Sequence, residues 1–189
     1  MKLIEITVMR PSEESYSDMI DHFVAKYGLD TDGGGHADVF MPKGKSYVWR
    51  AWTKDPGYES FLRYVEAHKG NPHLPKVLSR VREEPIKVKG TPKGVTLKFV
   101  KLERLKPLKD EMLKDVLDEI RNDISAHDRV VTFNKRQAHW RELLKKYPLL
   151  FKTMAELYQY GADDIDSTNV MMRDDVPVII DPAHKALAL

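Results

Sequence analysis

The stretch "YQYGADDIDSTNVMMRDDVPVIIDP", residues 158–182, decides how the rest of the chain is read. A helical pattern ends at Gly161, and a polar loop with acidic residues at 163, 164 and 166 follows. Two short apolar runs, "NVMM" and "PVII", then flank the charged pair Asp174–Asp175. That alternation predicts a β-hairpin with the charges at its solvent end and the apolar side chains packed below. A hairpin sets its first and last residues side by side, so Asn169 and Asp181 are expected to converge. An amide oxygen beside a carboxylate suits a hard cation such as Mg²⁺, which takes oxygen ligands and keeps several waters. Asp164, in the loop before Asn169, reaches the same place. Taken singly, Asp163, Asp164 and Asp166 are each more simply read as a helix cap or a solvated turn.

Upstream of this stretch the chain is helical in period. "PLLFKTMAELYQYG" and "QAHWRELLKKY" precede it, and "LKDEMLKDVLDEIRNDI" repeats Leu108, Met112, Val116 and Ile120 at every fourth position. The irregular, polar 127–140 segment reads as a surface loop. The first half has a different character. "LIEITVM" (3–9) and "SYVWRAW" (46–52) are rich in β-branched and aromatic residues and predict strands, as do "PKVLSRV" and "GVTLKFVKLERL". Helices are expected over 11–28 and over "DPGYESFLRYVEAHKG", where Pro sits early and Gly late and Tyr58, Phe61, Leu62 and Val65 share a face. "DTDGGGHADVF" reads as a glycine turn running into a strand. The chain therefore divides into a β-rich half, 1–105, and a helical half with a terminal hairpin, 106–189.

Composition narrows the class. The 189 residues carry 31 basic and 29 acidic side chains, a net charge of +2, so nothing points to nucleic acid as the main partner. There is no cysteine, which excludes disulfides, thiolate chemistry and a Cys-based zinc site. The seven histidines show no metal-ligand spacing, and His36, though next to the glycines, is read as structural or exposed. The tryptophans at 49, 52 and 140 are read as packing residues. No apolar run approaches the length of a membrane span, and the N-terminus lacks the apolar core of a signal peptide. A soluble intracellular protein is expected.

The order Asp164, Asn169, short hairpin, Asp181 resembles the catalytic loop and metal-binding Asp of protein kinases. The fold this implies is α+β and two-lobed, with a β-rich N-lobe and a reduced helical C-lobe. The resemblance makes Asp164 the catalytic base and Asn169 and Asp181 ligands of Mg²⁺. It also covers the first half: Gly33 and Gly35 match the first two glycines of a phosphate-cradling turn. Arg50 stands where kinases carry the ATP-pairing Lys. Phe40 and Val48 would line the adenine pocket, Glu59 or Glu66 would pair with Arg50, and the hinge from Leu102 to Leu105 would read adenine through its backbone. "GGGH", "DIDSTN" and "DVPVIIDP" are similar to stretches of the early Ser/Thr protein kinases of T7-type bacteriophages. That likeness implies ATP and Mg²⁺ as cofactors, host proteins (transcription machinery included) as partners, and the host cytoplasm as location.

Four features depart from the pattern. Arg50 replaces Lys, and its planar fork is not equivalent to a compact ammonium. Asp38 occupies the third glycine position, Ala162 and Asp163 stand in place of His and Arg before Asp164, and Pro182 follows Asp181 in place of Phe-Gly. Eight residues follow Asp181, too few for an activation segment. Three functions fit: an active minimal kinase, a degenerate kinase fold that binds and inhibits a host protein without catalysis, and an unrelated α+β interaction protein.

Overall fold

The computed structural model describes residues 30–33, 37–86, 95–126 and 138–189. The expected strand at 3–9, the expected helix at 11–28, Gly35, His36 and most of the expected 127–140 loop lie outside them. The chain forms two compact units. One holds the described residues up to Lys54 together with Leu78–Arg104; the other holds Asp55–Val77 and Leu105–Leu189.

The first unit is an antiparallel sheet in the order β1-β2-β3-β5-β4. Its strands are β1 (Asp30–Gly33), β2 (Asp38–Met41), β3 (Tyr47–Trp52), β4 (Arg82–Ile86) and β5 (Val95–Glu103). β3 and β5 pair over their whole common length, where alternating aromatic and β-branched residues fit a pleated surface. Trp49 meets Phe99 edge-on at 5.8 Å, and Lys101 lies 3.7 Å over the Tyr47 ring. The strand expected in "PKVLSRV" is not there. That segment is irregular but for a single bridge residue at Val77, and the ladder to β5 starts only at Arg82. Leu78 and Ser79 still bond to Lys101, so the segment follows the sheet without joining its ladder.

The second unit contains helices α1 (Pro56–Ala67), α2 (Glu111–Ala126), α3 (Ala138–Lys146) and α4 (Pro148–Gln159). A small sheet of β6 (Lys106–Pro107), β7 (Val170–Arg173) and β8 (Val176–Ile179) completes it. α1 starts where the sequence indicates: Asp55 caps it by accepting from the Tyr58 N–H at 2.9 Å, and Pro56 opens the first turn. Its buried face contains the expected Tyr58, Phe61, Leu62 and Val65. α2 departs from its expected stripe at Met112 alone. Leu113, Val116, Leu117 and Ile120 are buried, while Met112 is 38% exposed. At 3.6 residues per turn a strict four-residue repeat drifts about 40° per step, so the buried face must alternate three- and four-residue spacings. Asp110 caps α2 through the Leu113 N–H at 3.1 Å and receives Lys146 at 2.9 Å and the Tyr147 hydroxyl at 3.2 Å. Burial works the other way, but these donors hold its carboxyl below the usual carboxylate range.

Asp55–Val77 belongs with the helical unit because its side chains and backbone are tied there. Ser60 Oγ accepts from the Leu187 N–H at 2.7 Å, and Asn71 donates to Thr153 at 2.7 Å. Ile179 N–H donates to the His73 carbonyl at 2.9 Å. The order of elements, a sheet-rich unit, an intervening helix, further helices and a late hairpin, is α+β, as expected from the sequence.

His73 is buried, and its ring lies 2.7 Å from the Pro177 carbonyl through Nδ1. Burial lowers its pKa; the Pro177 bond opposes this and the Arg173 charge adds to it, and the net shift is downward. The neutral ring is thus favoured in the folded state. Its contribution to stability is complete above the unfolded value of about 6.5 and is lost as pH falls below that toward the folded value. Urea midpoints are expected to fall more between pH 7.5 and 5.5 for the natural chain than for His73→Gln, which keeps a donor for Pro177 but does not titrate. Equal falls would remove His73 from the acid response.

Candidate active site

The site is assembled by a helix end, a loop and a hairpin. α4 ends at Gln159, and just past its cap Gly161, at a φ of +96°, takes the left-handed conformation that glycine adopts without steric cost. The Ala162 N–H then returns to the Leu157 carbonyl at 3.0 Å, which turns the chain into the acidic loop. β7 and β8 form the expected hairpin: Arg173 faces Val176, and Asp174 and Asp175 make the turn, with Asp174 at φ +53°.

Asp166 is the hub of the loop. Its side chain is 5% exposed, and one carboxylate oxygen accepts from the Thr168 N–H at 2.8 Å, the Thr168 hydroxyl at 2.6 Å and the Asn169 N–H at 3.2 Å. Its other oxygen receives Arg121 Nη1. Short Asx-type bonds of this kind are what Asp in "DST" offers a turn. Ser167 is held from outside by Asp118, through its N–H at 2.9 Å and its hydroxyl at 3.0 Å. Tyr158 supports the loop at the Ile165 carbonyl, 3.3 Å away. Burial first, then the charges of Asp166 and Asp164, push its phenol well above its ordinary value, so it is neutral and donates.

Asp164 and Asn169 are brought together. The Asn169 Nδ2 donates to the Asp164 carbonyl at 2.8 Å and to Asp164 Oδ2 at 2.9 Å. Asp181 is bracketed onto the same place by its neighbours. The Ile180 N–H donates to the Asn169 carbonyl at 2.9 Å, and the Pro182 carbonyl accepts from the Asp163 and Asp164 N–H groups at 3.2 and 3.0 Å. Arg121 Nη2 lies 3.0 Å from Asp164 Oδ1, and His184 Nε2 lies 3.3 Å from Oδ2. His184 is anchored in turn, because its N–H donates to Asp163 Oδ1 at 2.9 Å.

The Asn169 amide nitrogen is turned to Asp164, so its oxygen is directed away from that carboxylate, as an amide oxygen ligand must be. Among the described residues no group of three or more His, Asp or Glu gathers as an all-protein metal site. One amide oxygen and one carboxylate suit Mg²⁺, which is held by one or two carboxylates and otherwise by water and substrate phosphates. The residues fit.

The remaining sequence-derived residues are placed as follows. Gly33 ends β1 and faces Asp38 across the ladder, while Gly35 lies outside the described residues. In the sheet, Val48 is opposite Leu102, and Arg50 is opposite both Val39 and Val100, so these five share one face. Phe40 is opposite Trp49 and lies on the other face. The pleat has a period of two, so a one-residue offset moves Phe40 away from Val48 and puts Val39 in its place. Glu59 sits in the first turn of α1 in the second unit, whereas Arg50 belongs to the first; Glu66 is exposed and paired with Lys69. Sequence reading missed Val39, Asp118, Arg121 and His184. Strand alternation could have found Val39; the other three lie in stretches with no motif.

No family model matches the chain, and no curated protein does. Among solved structures the chain is similar to a thermostable mutant of aminoglycoside phosphotransferase APH(4)-Ia in its apo form. The identity is 16% and the TM-score 0.39, over 87% of this chain and 71% of that one. It is also similar to a ternary complex of that protein with AMP-PNP and hygromycin B, at 15% identity and TM-score 0.36, over 87% and 70% of the two chains. A third, a ternary complex with ADP and hygromycin B, gives 16% identity and TM-score 0.36 over the same shares.

Proposed function

We propose that the chain is a phosphotransferase of the protein kinase type, moving the γ-phosphoryl group of ATP to a protein hydroxyl. The observation that carries this reading is the junction of Asp164, Asn169 and the backbone on either side of Asp181, made by one side-chain amide and three backbone hydrogen bonds. The acceptor oxygen attacks the γ-phosphorus, the bond to the bridging oxygen of the departing ADP breaks, and the hydroxyl proton passes to Asp164 Oδ2. The Asp164 side chain is 15% exposed, enough for one hydroxyl to approach while the carboxylate stays oriented. Asn169 fixes which Asp164 oxygen is presented. Mg²⁺, held by Asn169 Oδ1 and Asp181, would neutralise charge on the β- and γ-phosphates. In the first unit, Val39, Val48, Arg50 and Leu102 share the sheet face assigned to the nucleotide. The finer reading follows the phage-type motifs. The acceptors are Ser or Thr of host proteins in the host cytoplasm, and the effect is redirection of host transcription.

One observation favours a second reading, a non-catalytic kinase fold that binds and blocks a host protein. Asp38 stands opposite Gly33, which puts a carboxylate at the turn that would cradle phosphates. A repelled phosphate weakens the nucleotide complex on which transfer depends.

A thermal shift with Mg-ATP separates the two. At a hundred times its Kd, a ligand stabilises by about 2.7 kcal/mol. For a chain of this size that is a rise in Tm of roughly 5–10 °C. The rise is expected with Mg-ATP, and its Mg-dependent part is expected to vanish in Asp181→Ala. No shift, with no labelled phosphate reaching casein or host-lysate proteins, would leave the binder.

A further inference from the structure

Asp164 meets nitrogen groups at both oxygens: Oδ2 accepts a hydrogen bond, while the buried Oδ1 has an ion-pair contact without hydrogen-bond geometry. Asn169 Nδ2 and His184 Nε2 approach Oδ2 at 2.9 and 3.3 Å. Arg121, from the outer face of α2, approaches Oδ1 at 3.0 Å with Nη2 and bonds Asp166 Oδ2 with Nη1. One planar fork therefore spans both acidic residues of the loop. Because its two nitrogens are fixed relative to each other, it sets the rotation of Asp164 against a hub that is already locked by Thr168 and Asn169. Asp118 lies three residues before Arg121, hence on the same helix face, and ties Ser167 of the same loop. α2 thus holds the acidic loop at three residues: 164, 166 and 167.

We infer that Arg121 is a positioning residue for phosphoryl transfer: it takes up Asp164 Oδ1 and so turns Oδ2 toward Asn169 and the acceptor. This rests on the reading of Asp164 as the base. Arg121 touches no reacting atom. It also offsets charge in a loop that carries Asp163, Asp164 and Asp166, with Asp118 and Asp181 beside it. Lys could supply the charge, but a single ammonium cannot span two carboxylates at fixed separation.

Arg121→Met keeps an unbranched stem and leaves the buried stripe of α2 untouched, since the Arg121 side chain is 46% exposed. Arg121→Lys is the conservative partner, and also the fallback if the Met variant does not fold. The test compares both with the natural chain in single-turnover transfer of labelled γ-phosphate to casein, in Mg-ATP affinity, and in amide hydrogen exchange. Arg121→Met is expected to slow transfer about a hundredfold, the scale of an ångström's misplacement. Mg-ATP affinity should stay within about threefold, because binding the ground state does not need Asp164 oriented. Exchange at Ser167, Thr168 and Asn169 should quicken about tenfold while β7 and β8 keep their protection. Arg121→Lys should recover less than half of the lost rate on a logarithmic scale. Full rescue by Lys, an unchanged rate, or losses of rate and affinity in equal measure would each overturn the inference. If the natural chain transfers no phosphate, the phosphotransferase reading fails separately. Exchange then decides: unchanged loop exchange overturns the clamp, and quickening confined to the loop retains Arg121 as what orients Asp164.

Discussion

Asp164→Asn is expected to slow phosphoryl transfer about a hundred- to ten-thousand-fold, the usual contribution of a positioned base. The substitution preserves shape. An amide oxygen at 164 still accepts from Asn169, and Arg121 retains Asp166, so the loop keeps its hub. What is lost is the capacity to take a proton from the acceptor hydroxyl. Mg-ATP affinity is therefore expected to stay nearly constant while the rate falls, the signature of an interaction made in the transition state. Single-turnover transfer of labelled γ-phosphate to casein, with affinity measured by calorimetry, checks both halves. A loss of less than about tenfold would place the base elsewhere, because even modest general-base catalysis exceeds it. His184, whose ring nitrogen lies 3.3 Å from Asp164 Oδ2, would then be the next residue to test.

Gly57→Ala is expected to cost about 2–3 kcal/mol, at the upper end of what an added methyl does in a packed site. A Cβ at residue 57 would stand 1.9 Å from the Ala183 carbonyl oxygen and 2.8 Å from its carbon. Both are backbone atoms, so no side chain can swing aside. Either the first turn of α1 or the segment after Asp181 must move. Alanine's better helix propensity, worth about 1 kcal/mol in a helix interior, does not offset this. For a chain of this length the fall in Tm is roughly 4–12 °C. Asp181 stands two residues before Ala183, so the Mg-dependent gain in Tm with ATP is expected to shrink as well. A variant as stable as the natural chain would show that the 181–184 segment yields freely, and the bracketing of Asp181 would lose its rigidity.

Local chemistry made several elements readable in advance. The cap and early proline of α1, the apolar face of that helix and the two-residue turn of the β7–β8 hairpin all depend on residues within a few positions of one another. The approach of Asp164 to Asn169 is of the same kind, since five residues and an Asx turn suffice to close it. Where reading failed, the deciding quantity was an angle or an offset. Met112 falls off the buried face that Val116 and Ile120 share because the helical repeat is not four. Phe40 lies on the face opposite Val48 because the β2–β3 register is set by the whole ladder.

The chain by itself determined its α+β class, the order of its elements and the acidic loop before the hairpin, because periodicity, caps and turns act over one or two turns of backbone. Tertiary structure alone decided that Arg121 and His184 reach Asp164, that Gly57 must be bare against Ala183, and that α1 belongs with the helical unit. Those contacts join segments up to 127 residues apart in the chain, as Ser60 and Leu187 are. No local pattern encodes such a pairing, because its free energy comes from packing and charge that exist only once the segments have met.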